Sequence, residues 1–108
     1  MSNFSDNKSY EYFFMNFANK TKLNIILCLK NKPMSVNEIA GKINEEQSNV
    51  SHHLKNLALC QIVNARQKGK KRIYSLNKET VVPMLNLVEK HAHKNCPNEC
   101  SKKCMGCK

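Results

Sequence analysis

The sequence has no long apolar run. Its longest, residues 25–29, falls far short of the roughly 20 apolar residues that a helical membrane span requires. Residues 1–8 lack the apolar core of a signal peptide, so the expectation is a cytoplasmic protein with no membrane partner. Acid is also scarce. Eight Asp and Glu stand against eighteen Lys and Arg, for a formal net charge of +10, and residues 47–78 contain no acid at all. A positive field of that size favours a polyanion, and nucleic acid is the leading candidate, with double-stranded DNA the partner that the helices below point to. There is no Ser/His/Asp or paired-carboxylate arrangement, and no strand–helix redox scaffold precedes Cys104 and Cys107. Neither an enzyme nor a small-molecule substrate is expected. A chain of 108 residues forms one small core, burying about 60 to 70% of its unfolded surface, and a homodimer would enlarge it. In a reducing compartment its six cysteines are ligands, core residues or redox groups rather than a disulfide framework.

The pattern of apolar positions predicts a mainly α chain with one small β-hairpin. Over residues 8–19, Tyr10, Phe13, Phe14, Phe17 and Ala18 recur at helical spacing. Six of the seven aromatic residues precede Ala18, more than a small core readily covers, which points to a subunit seam. Residues 22–30 are apolar nearly all round and read as a buried helix with Cys28 as a small core residue, ended by Asn31, Lys32 and Pro33. Ser35 and Glu38 fit a capping box that opens a short helix over 36–42, with Val36, Ile39, Ala40 and Ile43 inward. A second helix over 47–59 turns Val50, Leu54, Leu57 and Ala58 inward.

That second helix leaves Gln47, Ser48, Asn49, Ser51, His52 and Lys55 outside. Short hydrogen-bonding side chains of this kind suit a helix laid in the major groove, where Gln and Asn read adenine edges and the helix N-terminus favours an anion. Of the two adjacent histidines, His52 is expected to face DNA and His53 the core. Residues 62–67 and 71–76 read as two strands joined at Lys68, Gly69 and Lys70. The cations around that tip, Arg66, Lys68, Lys70, Lys71 and Arg72, suit phosphates rather than bases. A last amphipathic helix over 83–95 is expected to pair with the first.

Three stretches resemble the ArsR/SmtB winged-helix repressors, with the likeness extending over residues 19–93. The run from Gln47 through Ser48, Asn49, Val50, Ser51, His52, His53, Leu54, Lys55 and Asn56 to Leu57 is similar to that family's recognition helix. Residues 20–26 are similar to the opening of its second helix, and residues 72–76 to its second wing strand. The resemblance implies a winged helix-turn-helix, homodimeric through its first and last helices, that regulates transcription by binding DNA. The family's metal sites do not carry over. Asn37, Glu38 and Ile39 stand where some members have a cysteine pair, and Glu89 with His91 mimics only half of another site. Gln61 stands where the family usually has a glycine, so the left-handed cap after the recognition helix is expected to be strained or rebuilt. The neighbouring Cys60 is expected to be buried.

Ligand chemistry concentrates in the last thirteen residues, where Cys96, Cys100, Cys104 and Cys107 follow a Cys-x3-Cys-x3-Cys-x2-Cys spacing. Four thiolates suit tetrahedral zinc and equally an iron–sulfur cluster, with Cu(I) a lesser fit. The expected organisation is a DNA-binding and dimerisation domain over 1–95 and a Cys-rich metal- or cluster-binding tail over 96–108. The expected function is a DNA-binding repressor whose affinity responds to metal, cluster or redox state at the tail. The alternatives are a structural zinc tail and a metal-binding protein-interaction module.

Overall fold

A computed structural model describes residues 7–95 of the chain. The four tail cysteines, Cys96, Cys100, Cys104 and Cys107, lie outside the described residues. The chain divides into two compact units, one ending at Asn77 and the other beginning at Lys78. The first unit holds α1 (Asn7–Ala18), α2 (Lys20–Asn31), β1 (Met34–Ser35), α3 (Val36–Ile43), α4 (Gln47–Leu59), β2 (Val63–Lys68) and β3 (Lys71–Leu76). The second holds α5 (Val81–Asn95), on which Val81 and Leu85 are buried while Leu87 and Val88 are exposed. No helix among the described residues is long and apolar enough to cross a membrane.

Local chemistry sets most boundaries. Asn19 ends α1 and caps α2, its side-chain oxygen accepting a hydrogen bond from the Lys22 backbone N–H at 2.9 Å. The capping box opens α3 as expected, with the Glu38 N–H donating to Ser35 Oγ and the Ser35 N–H donating to Glu38 Oε1 at 3.0 Å. Asn44 closes α3 in the left-handed conformation, φ 58°, which asparagine tolerates well. These devices leave only a short connection before α4, the geometry of a helix-turn-helix.

The first unit's core gathers Ile25 and Ile26 from α2, Ile39 from α3 and Val50, Leu54 and Leu57 from α4, with Ile62 just past it, all fully buried. Each such side chain contributes about 1.5 to 3 kcal/mol relative to an exposed one. The antiparallel sheet has the order β1-β3-β2, and its β2–β3 hairpin adds Val63, Tyr74 and Leu76 to the buried residues while its tip is exposed. The result is a mainly α winged helix-turn-helix with a β-hairpin wing.

Several expectations need correction. α2 is not buried all round, because Leu27 is 44% exposed on the face opposite Ile25, Ile26 and Leu29. Cys28 is only half-buried, with its Sγ 3.5 Å from Met34 Sδ, and burial raises its thiol pKa against the pull of Lys42. α5 begins at Val81, two residues before Pro83, so the proline falls among first-turn positions whose N–H has no intrahelical partner. The two-residue strand β1 is too short to leave a periodic signal in the sequence. It pairs Met34 with Tyr74 and Ser35 with Ile73, and so ties the start of α3 to the wing.

Candidate nucleic-acid interface

α4 separates its residues cleanly. Val50, Leu54 and Leu57 are fully buried, while Gln47, Ser48, Ser51, His52 and Lys55 are exposed. Ser48, Ser51, His52 and Lys55 recur at three- and four-residue steps, so they share one outward face. Asn49 stands apart from them. It is half-buried, and its side-chain amide donates to Glu45 Oε1 at 2.8 Å. The expected anion-favouring N-terminus is also altered, because Glu46 is the N-cap residue, with Glu45 just before it. These carboxylates meet the positive end of the helix and oppose an incoming phosphate there.

The two histidines divide as expected. His52 is exposed, whereas His53 is half-buried, with its Nδ1 buried and lacking a hydrogen-bond partner. Burial holds the His53 pKa below the ordinary histidine value, with Lys22 and His52 adding to that effect and Glu45 opposing it.

The exit from α4 is a Schellman cap. The Ile62 N–H donates to the Leu57 carbonyl and the Gln61 N–H to the Ala58 carbonyl, both at 3.0 Å. Gln61 adopts φ 61° in the position where glycine is usual, so the cap is retained rather than rebuilt. The Asn77 side-chain amide donates to the Gln61 carbonyl at 2.9 Å and fastens this turn. Cys60 is exposed, not buried as expected, because the backbone loops outward between the buried Leu57 and Ile62 to make the turn. Its Sγ lies 3.6 Å from the Asn16 side-chain nitrogen.

In the wing, Gly69 takes φ 65° at the first position of a two-residue turn, with Lys70 second. Arg66, Lys68, Lys70, Lys71 and Arg72 are all exposed. Strand alternation divides them, because Arg66, Lys68 and Lys71 share one face while Arg72 shares the other with the buried Tyr74. Among the described residues no three His, Cys, Asp or Glu side chains come together as a metal site. His91 and His93 are exposed on α5.

Residues 19–65, covering the helix-turn-helix, match the family model described as "Bacterial regulatory protein, arsR family". Over that segment the chain is similar to the arsR-family helix-turn-helix domain. A curated relative, the HTH-type transcriptional regulator KmtR of Mycobacterium tuberculosis, is 32% identical over 68 residues. That alignment takes in 63% of this chain and 52% of KmtR, so the chain spans about half the length of the curated relative it matches. Among solved structures, HlyU from Vibrio cholerae is 26% identical with a TM-score of 0.70, covering 79% of this chain and 92% of HlyU. The homodimeric winged helix-turn-helix DNA-binding domain of Mb0332 from Mycobacterium bovis, a possible ArsR-family transcriptional regulator, is 25% identical with a TM-score of 0.72. It covers 79% of each chain.

Proposed function

We propose that this protein is a homodimeric transcriptional regulator of the arsR family, a repressor, that lays α4 in the major groove of duplex DNA and rests its wing on flanking phosphates. One observation carries the reading: α4 buries Val50, Leu54 and Leu57 completely while presenting Ser48, Ser51, His52 and Lys55 together on its outer face. The acid-free, cation-rich wing that follows supplies the sequence-independent part of the affinity. Exposed Tyr10, Tyr12, Phe14 and Met15 on α1 form an apolar surface of the kind that a second copy would cover, and the Mb0332 domain is homodimeric. Binding of the full chain to random-sequence duplexes, followed by selection, tests the reading. A monomer with no affinity for any duplex at low salt sinks it.

A second part of the proposal concerns the tail over 96–108. Cys96, Cys100, Cys104 and Cys107 form a donor set that suits tetrahedral zinc or an iron–sulfur cluster, and less well Cu(I). If the tail senses its ligand, DNA affinity must differ between loaded and stripped protein, typically by about 1 to 3 kcal/mol. A purely structural site leaves the two affinities equal. Anaerobic purification with metal and acid-labile sulfide analysis identifies the ligand, and operator affinity of loaded, stripped and oxidised protein separates sensor from structural tail.

A further inference from the structure

Asn44 and Glu45 set where α4 begins and what its first turn offers. Asn44 ends α3 in the left-handed conformation, and the Glu45 N–H donates to the Ala40 carbonyl at 3.1 Å, which fixes the backbone just ahead of α4. Glu45 thereby comes within reach of Asn49, whose side-chain amide it accepts on Oε1 at 2.8 Å, and both side chains are half-buried. The bond is not a helix cap, because its donor is a side chain, and the N-cap residue Glu46 makes no side-chain hydrogen bond to the helix. Glu45 and Glu46 are also the only acids between Ile39 and Lys78, a stretch otherwise charged by cations alone.

We infer that Glu45 is a positioning residue that decides base preference: it holds Asn49 back from the major groove, so that the protein reads its site without an adenine contact from Asn49. The inference rests on the DNA-binding reading above and withdraws Asn49 from the base-reading set that the sequence suggests. Asparagine reads adenine by presenting its carbonyl oxygen and an amide hydrogen together to one base edge, which requires an amide free to turn. Here the amide nitrogen is tied to a carboxylate, and a bond of that kind is roughly twice as strong as one between neutral groups. Swinging Asn49 outward would break it and leave the carboxylate unpaired beside the phosphates. Asn49 adjoins the exposed His52 one turn on, so its release would add a side chain to the same outer face.

Selection of random-sequence duplexes by the full chain and its variants tests the inference. Wild type and Asn49→Ala should select the same site. Glu45→Ala should gain a preference for adenine at one position, about tenfold over the other bases, and the double variant Glu45→Ala/Asn49→Ala should lose it. Glu45→Gln keeps an oxygen that accepts the Asn49 amide while removing the charge, so it should retain the wild-type preference and bind all duplexes more tightly. A merely structural Glu45 would leave base preference alone in every variant. A changed site in Asn49→Ala overturns the inference, as does an unchanged one in Glu45→Ala, or a Glu45→Gln that follows Glu45→Ala. In each of these cases the wild type still selects a site and the DNA-binding reading stands, whereas a wild type that binds no duplex removes that reading and the inference with it.

Discussion

Lys68 and Lys71 stand directly opposite each other across the wing, the last cross-strand pair before the Gly69–Lys70 turn. Both are exposed, and neither faces an acid on its neighbouring strand, since residues 47–78 contain none. Like charges in this position destabilise a hairpin, so the arrangement works against the fold and for an anionic partner.

Stability and binding should therefore respond to Lys68→Gln with opposite signs. Folding should gain about 0.5 kcal/mol at low salt, fading as salt screens the repulsion. Duplex affinity should fall, with the salt slope reduced by about 0.9. Chemical denaturation and binding isotherms measured across the same salt series check both. A loss of stability would contradict the assigned register.

On α4 the two faces should separate in mutation. Leu54→Ala, at a fully buried position, should destabilise by about 2 to 5 kcal/mol. Ser51→Ala, on the exposed face, should leave the melting temperature unchanged and relax base preference at one position of the selected site. A uniform loss of affinity across sequences would move Ser51 from bases to phosphates.

Gln61 holds a left-handed backbone, φ 61°, in the Schellman cap of α4. Gln61→Gly should stabilise the chain by about 0.5 to 1 kcal/mol, the relief of the side-chain clash outweighing the extra freedom of the unfolded glycine. Asn44→Gly, at φ 58°, should gain less because asparagine already tolerates that conformation. Urea midpoints of the two variants give the comparison.

His53 should make stability depend on pH. Its folded pKa lies below the unfolded value, which is about 6.5, so the unfolded chain binds the proton more readily. The neutral form is fully favoured above that unfolded value, and stability is lost as the pH falls through it toward the folded pKa. Thermal melts between pH 8 and pH 5 should show this loss in the wild type and a shallower one in His53→Gln. Equal slopes would mean that the buried Nδ1 is solvated in solution.

The sequence on its own determined the elements whose signals are local. Helical spacing around Val50, Leu54 and Leu57, the Ser35–Glu38 capping box and the turn glycine Gly69 each act within a few residues, and each was legible from residue type and spacing. The outward set on α4 followed, since a residue absent from the buried stripe faces solvent. Only the tertiary structure decided the rest. β1 is two residues long and has no periodicity to read, existing because β3 is there to pair with it. Asn49 depends on where Glu45 falls, and the exposure of Cys60 on how the chain leaves α4. The meeting of the start of α3 with the wing tip joins residues more than thirty positions apart, a proximity created by strand pairing and not carried by either segment alone.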